Sequence, residues 1–117
     1  MLAVAESDRL ASLDYEFDRL AALMAARDWT TVQLVHRTAP DRFRARNPFP
    51  PGGVVEDPAT GAAAAALGGY LRELGAVSVP ATVTIDQGIE LGRPSLLTVT
   101  IPAGVGGISV AGTAVPI

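Results

Sequence analysis

The 117-residue sequence contains no cysteine and only one histidine, His36. Without cysteine the chain has no disulfide, no thiolate nucleophile and no zinc-finger site, and one histidine alone cannot hold a metal ion. A reducing compartment is consistent with this composition. The sequence therefore excludes the common metal and thiol chemistries.

Charge is also scarce. Charged residues make up 18% of the chain, the net charge is −3 and the pI is about 4.9, so no basic surface for nucleic acid or an acidic membrane is present. Glu6 and Asp8 interrupt the N-terminal apolar stretch where a signal peptide would need a basic start. No apolar run approaches the roughly 20 residues that cross a bilayer. We expect a soluble, cytoplasmic, single-domain protein that binds neither nucleic acid nor membrane.

The N-terminal half predicts one helix and a hairpin. The helix covers residues 15–26, with Asp14 as N-cap, and its apolar stripe is Phe17, Leu20, Ala21 and Met24. Residues 29–36 predict a strand with Val32 and Leu34 on one face, and residues 41–46 ("DRFRAR") a second strand whose arginines form a solvent-facing side. His36 is interpreted as a capping or surface residue.

Residues 47–53 ("NPFPPGG") exclude a helix or a central strand, because prolines remove donors and glycines loosen the chain. Beyond Gly75, three strands are predicted over 79–86, 95–101 and 108–117. The segments 87–88 and 92–94 are interpreted as hairpin turns, with Arg93 in a surface salt bridge, in preference to a substrate contact. Tyr70 and Trp29 are interpreted as core or interface aromatics.

Residues 61–74 ("GAAAAALGGYLREL") carry no charge before Arg72, and their side chains are small. A helix that is apolar all round is buried, so we predict a central helix enclosed by a wrapped sheet. Gly75 is the predicted C′ glycine, and Arg72 complements the helix dipole.

The start of this helix is the candidate site. Asp57 is predicted as N-cap with Pro58 as the first helical residue, and Thr60 is a second candidate cap. In either case, free N–H groups around Thr60, Gly61 and Ala62 would hold a carboxylate or phosphate. The alternative is that Asp57 is an ordinary N-cap and that nothing binds here.

Two segments resemble a known family. Residues 46–75 ("RNPFPPGGVVEDPATGAAAAALGGYLRELG") and residues 87–95 ("QGIELGRPS") resemble the second half of the phenazine-biosynthesis PhzF-like family in order and spacing. The resemblance implies an α+β fold like that of a diaminopimelate epimerase lobe, a mixed sheet or barrel wrapped around a central apolar helix. Residues 1–117 would then be a single domain that corresponds to the C-terminal lobe.

The resemblance also implies an activity. Family members are isomerases that transfer a proton on a small carboxylate substrate without metal or cofactor, in a cleft between two lobes. The same resemblance places Asp57, Gly61 and Ala62 in the site. We therefore expect Asp57 to be the catalytic residue of this lobe, and Thr60, Gly61 and Ala62, with their N–H groups at the helix start, to bind the substrate carboxylate. Phenazine-type biosynthesis is the implied process.

Two departures from the family pattern change these expectations. Ala62 stands where the family has serine, so a side-chain donor is lost while the backbone N–H remains. The first lobe, which supplies the principal acid-base glutamate and a glycine-histidine turn, is not in this sequence. Neither Glu56 nor His36 is placed to replace them, so the chain is expected to supply half of an active site.

The expected partners are therefore a small carboxylate and either an N-terminal lobe or a second copy of the chain. A truncated or split product is the first hypothesis. The alternatives are a stand-alone carboxylate-binding or self-assembling module without catalytic activity, and a non-functional remnant.

Overall fold

The computed structural model describes residues 1–116 and contains a mixed sheet with helices on both of its faces. The α-helices of these residues are α1 (Ser7–Ala11), α2 (Phe17–Arg27) and α3 (Gly61–Glu73). The strands are β1 (Leu2–Ala3), β2 (Leu34–Ala39), β3 (Arg42–Phe49), β4 (Val54–Asp57), β5 (Ala81–Gln87), β6 (Ser95–Ile101) and β7 (Ser109–Ala111). A short 3₁₀ turn, Pro50–Gly52, joins β3 to β4. The predicted α+β class is confirmed.

The strands lie in the order β1-β2-β3-β5-β6-β7, and β4 pairs with the end of β3 outside this path. The β1–β2 and β3–β5 pairs are parallel and the other pairs are antiparallel. The parallel β3–β5 pair is connected through β4 and α3, and this crossover places the start of α3 near the ends of β4 and β5.

Helix α2 begins two residues later than predicted. Its N-cap position is Glu16, with no side-chain capping bond, so the prediction that Asp14 caps the helix is wrong. The predicted inward stripe is confirmed, because Met24 is buried and its three stripe partners are half-buried. The helix ends at Asp28, whose φ of 54° is left-handed, and the Trp29 N–H bonds to the Met24 carbonyl.

The β2–β3 hairpin is confirmed with a different starting point. Strand β2 begins at Leu34 rather than at Trp29, since residues 28–33 are needed to return the chain from α2 to the sheet. The buried side chains here are Gln33 and Val35, while Val32 and Leu34, predicted to share one face, are half-buried.

Strand β3 runs through residues predicted to be irregular. Asn47, Pro48 and Phe49 pair with β4, and the register shifts between Pro48 and Phe49. A proline is tolerated in a strand at such an irregularity because no ladder donor is required there. The prediction that residues 47–53 form a loop is therefore correct only from Pro50 onward.

The main core lies between α3 and one face of the sheet. The helix contributes Ala64, Leu67 and Leu71, and the strands contribute Val35, Phe43, Ala45, Val83, Ile85, Leu97, Val99 and Ile101. Helix α1 packs on β2 and β3, where Arg44 and Arg46 on alternate positions of β3 bond to it. Since side chains alternate across a strand, α1 and α3 lie on opposite faces.

Helix α3 is not buried all round. Ala62, Ala66 and Tyr70 lie on one side of the helix and are exposed in the described part of the chain, so that prediction is wrong. The predicted end of the helix is confirmed. Gly75 is at C′ with a left-handed φ of 62°, and its N–H bonds to the Arg72 carbonyl at 3.1 Å.

The three predicted C-terminal strands are confirmed, two of them with different bounds. Strand β6 has the predicted bounds, while β5 and β7 are shorter than their predicted ranges. The predicted third strand ended at Ile117, which lies outside the described residues.

Candidate functional site

Asp57 closes a tight turn before α3. One carboxylate oxygen, Oδ1, accepts the Ala59 N–H at 3.2 Å, and the other, Oδ2, accepts the Thr60 hydroxyl at 2.8 Å. The first of these bonds defines an Asx turn. Helix α3 begins at Gly61, so Pro58 lies before the helix and Thr60 holds the N-cap position. The prediction of Asp57 as N-cap and Pro58 as first helical residue is wrong.

Thr60 occupies the N-cap position without capping the helix. Its hydroxyl points to Asp57, and its own N–H bonds to the Gln87 side-chain oxygen at 3.3 Å. The Ala64 N–H is the first in α3 with a partner along the helix, the Thr60 carbonyl at 3.0 Å. The N–H groups of Gly61, Ala62 and Ala63 therefore have no intrahelical acceptor. The prediction that the Thr60 N–H is also free is wrong, because this N–H is bonded to the Gln87 side chain.

The surface around these N–H groups is open. Gly61 and Ala62 are exposed, and a Cβ atom added at Gly61 would meet no other atom within 4 Å. The positive end of the α3 dipole adds to the N–H groups, so an anion could approach the backbone closely here. The structure thus brings Asp57, Thr60, Gly61 and Ala62 together in one turn, as the sequence pattern indicated.

Gln87 is hydrogen-bonded to this turn, and the sequence interpretation did not identify it. It is the last residue of β5 rather than part of a hairpin turn, and it is fully buried. Its amide nitrogen donates to the Asp57 carbonyl at 2.8 Å and to the Thr60 hydroxyl oxygen at 2.9 Å. A polar residue that alternates in phase with Val83 and Ile85 on the buried side of β5 is the signal that could have identified it.

Gly88 holds the end of β5 close to the same turn. Its φ is +79°, and an added Cβ would lie 2.3 Å from the Arg93 carbonyl oxygen and 2.8 Å from the Pro58 carbonyl oxygen. Only glycine fits this backbone without a shift. Arg93 itself is exposed and takes part in none of the ion pairs among residues 1–116, so the predicted surface salt bridge is wrong.

Glu56 lies next to Asp57 in sequence but points elsewhere. It is buried and accepts two bonds from the Arg46 guanidinium, at 2.9 and 2.7 Å. These bonds raise the pKa of Arg46. The solvent-facing arginine side predicted for β3 is therefore wrong at Arg46, while Arg42 is exposed as predicted. The expectation that Glu56 does not act at the α3 terminus agrees with this pairing.

The remaining candidates lie outside the turn. His36 is within β2, and its Nδ1 is 2.9 Å from the Val4 carbonyl oxygen, a bond that ties β2 to the segment after β1. Trp29 and Tyr70 are exposed, so neither is a core aromatic. In the part of the chain that the structure describes, no cluster of His, Cys, Asp and Glu could hold a metal ion. No helix among those residues is long and apolar enough to span a bilayer.

The fold and this turn define an α+β protein in which an uncapped helix N-terminus lies beside an aspartate. The family model of the phenazine biosynthesis-like protein, PhzC-PhzF, matches residues 1–117. The chain belongs to this family, as its sequence motifs indicated.

Individual relatives agree with this membership. The chain is 48% identical over 56 residues to trans-2,3-dihydro-3-hydroxyanthranilate isomerase of Pseudomonas fluorescens, a match that covers 48% of this chain and 20% of that protein. A solved phenazine biosynthesis PhzC/PhzF protein of Clostridium difficile (strain 630) superposes with a TM-score of 0.67 at 18% identity, covering 99% of this chain and 44% of that one. A predicted epimerase of Pseudomonas aeruginosa gives 0.64 at 24% identity, covering 97% and 40%. The chain spans less than half the length of each.

Proposed function

We propose that this chain supplies one half of the active site of a PhzF-like isomerase or epimerase, which transfers a proton on a small carboxylate substrate without a cofactor. The observation that carries the proposal is the uncapped start of α3, where exposed N–H groups lie beside the fixed carboxylate of Asp57. Family membership and the isomerase and epimerase names of the relatives support it.

The N–H groups of Gly61 and Ala62 are proposed to bind the substrate carboxylate. When a proton leaves the carbon next to a carboxylate, negative charge spreads onto the carboxylate oxygens. Backbone donors that are already fixed stabilise this charge without reorganising. An open surface at Gly61 lets the oxygens reach hydrogen-bonding distance. These groups would thus both orient the substrate and lower the barrier.

Asp57 is proposed as the acid-base residue of this half. The Asx turn and the Thr60 hydroxyl fix its carboxylate next to the anion position. Each carboxylate oxygen has two lone pairs, so each keeps one for a substrate proton. General acid-base catalysis by a positioned side chain contributes roughly 100- to 10,000-fold in rate.

The second half of the site is proposed to come from an N-terminal lobe. It would carry the principal acid-base glutamate that the family resemblance implies. Ala62, where the family has serine, leaves this half with backbone donors and without a hydroxyl at that position. We therefore propose a substrate that needs no hydrogen bond there, distinct in preference from those of serine-containing members.

The proposal is tested with a protein that contains this chain and a first lobe. Asp57→Asn removes the proton-accepting group with little change in side-chain size, so kcat should fall at least ~100-fold. Proton exchange into trans-2,3-dihydro-3-hydroxyanthranilate, followed by NMR in D₂O, provides the measurement. Asp14→Asn is the matched control, since Asp14 is exposed and makes no side-chain bond in the described chain.

Two results would contradict the assignment. Full activity of Asp57→Asn would show that Asp57 does not transfer the proton. Absence of exchange in the unmodified two-lobed protein would reject this substrate, and a panel of small unsaturated carboxylates would then decide whether the isomerase proposal itself fails.

A stand-alone module without catalysis is the second candidate, and the open apolar side of α3 favours it. In that case the chain would associate with itself or bind a small carboxylate without turnover. Calorimetry with acetate distinguishes a chain that binds a small carboxylate from a chain that does not.

A further inference from the structure

The hydrogen bonds of Gln87 restrict the orientation of the Thr60 side chain. Its amide nitrogen faces two acceptors, the Asp57 carbonyl and the Thr60 hydroxyl oxygen, and its amide oxygen faces a donor, the Thr60 N–H. This is the only orientation of the amide that satisfies all three contacts. Because Gln87 is fully buried, water cannot replace any of them.

The Thr60 side chain is consequently held in place by two hydrogen bonds. Its hydroxyl has one proton, which it donates to Asp57 Oδ2 at 2.8 Å, and its oxygen accepts from the Gln87 amide at 2.9 Å. The two bonds form a directional chain from Gln87 through Thr60 to the carboxylate. A threonine at this position normally accepts an N–H from the second or third helical residue, here Ala62 or Ala63. Thr60 is held away from that role.

We infer that Gln87 is a positioning residue that keeps the N-terminus of α3 uncapped, so that the Gly61 and Ala62 N–H groups stay free for the substrate carboxylate. This inference rests on the proposed function for its ligand. Its structural content, the competition between Gln87 and α3 for the Thr60 hydroxyl, stands on the contacts alone.

A second observation places unused polar groups beside this turn. Asn47 lies opposite Asp57 in the β3–β4 ladder, so the two side chains share a face. Asn47 is 1% exposed, and within residues 1–116 neither its amide oxygen nor its amide nitrogen has a hydrogen-bond partner. A buried polar side chain without a partner is costly, so this amide beside Asp57 needs a partner that the described residues do not supply.

Amide hydrogen exchange tests the structural content directly. In Gln87→Met, which preserves volume and removes the amide, Thr60 is released and should cap α3. Exchange at Ala62 or Ala63 should then slow about fivefold relative to Val99 in the core, the effect of one capping bond. In the double variant Gln87→Met/Thr60→Val, no hydroxyl can cap, and the slowing should disappear. No slowing in the single variant, or slowing that persists in the double variant, overturns the inference.

Acetate titration tests the link to the ligand. The NMR signals of Gly61 and Ala62 should move with acetate in the unmodified chain. Gln87→Met should weaken binding about tenfold, the value of one charge-assisted hydrogen bond, and adding Thr60→Val should restore it. A merely structural role of Gln87 predicts a double variant at least as weak as the single one. If acetate does not bind but the exchange result holds, the proposed function fails and the positioning role stands.

A variant at another position tests the same inference if Gln87→Met does not fold. Thr60→Val alone removes a hydroxyl that, by this inference, does not cap α3. Exchange at Ala62 and Ala63 should therefore remain unchanged relative to Val99. Faster exchange at either position would mean that the hydroxyl already caps the helix, and would overturn the inference.

Discussion

Arginines at alternate positions of β3 have unlike environments. Arg42 pairs with Asp86 at 2.7 Å and its side chain is 53% exposed. Arg46 is buried, pairs with Glu56 at 2.7 Å and also donates to the Leu10 and Ala11 carbonyls at the end of α1. Its guanidinium therefore joins β3, β4 and α1, and gives the Ala11 carbonyl at the end of α1 a donor.

These two arginines give a matched test. Arg46→Met leaves the Glu56 charge buried without its partner, and should lower the free energy of unfolding by about 3–5 kcal/mol. Arg42→Met breaks an exposed pair and should destabilise the protein far less than Arg46→Met does. Urea denaturation measures both. Equal losses would mean that Arg46 is no more important to the fold than a surface arginine.

Helix α3 approaches β6 closely because of a single glycine. A Cβ atom at Gly68 would lie 2.8 Å from Val99 Cγ1 and 2.9 Å from Ile108 Cγ2, while a Cβ atom at Gly69 would meet nothing within 4 Å. The two neighbouring glycines thus face different surroundings. Gly68 allows the helix to lie close to the sheet. The position of the α3 N-terminus relative to the ends of β4 and β5 depends on this close approach.

Alanine at each glycine separates packing from helix propensity. Gly69→Ala should stabilise the protein by about 0.5–1 kcal/mol, because alanine favours the helix. Gly68→Ala gains the same propensity but forces α3 away from β6, so a net loss of about 1–2 kcal/mol is expected. Thermal or urea unfolding of the two variants measures these changes in stability. Stabilisation by both alanines would show that the helix can shift freely on the sheet.

At the scale of the whole molecule, the side of α3 that carries Ala62, Ala66 and Tyr70 is exposed within residues 1–116. Tyr70 is 51% exposed and Leu74, just after the helix, is 59% exposed. Exposed apolar side chains that lie together on one element mark a candidate interface. A first lobe or a second copy of the chain would each cover it, in line with the two candidate functions.

The isolated chain should therefore associate as its concentration rises. Tyr70→Glu introduces a charge on the open side of α3 and should return the chain to monomer in sedimentation velocity experiments. Val105→Glu, in the fully exposed β6–β7 loop, is the control and should leave association unchanged. A chain that is monomeric at all concentrations would argue against a self-assembling module.

Much of the architecture was determined by local sequence. The small apolar residues of α3 and Gly75 at its end fixed the helix and its C-terminus, and the alternation in β6 fixed its bounds. The E-D-P-A-T-G stretch, residues 56–61, indicated the family, and with Ala62 directly after it forms the turn that holds Asp57, Thr60 and Gly61. Periodicity, capping and turn chemistry act over a few residues, so they can be recognised in the sequence itself.

Only the tertiary structure decided the hydrogen-bond partners. A threonine before a helix is a cap by local rules, and Thr60 fails to cap because Gln87, 27 residues away, takes its hydroxyl. In the same way Arg46 is buried because Glu56 and the end of α1 meet it. A polar side chain bonds to whichever partner the fold brings nearest, and that choice depends on contacts between distant segments.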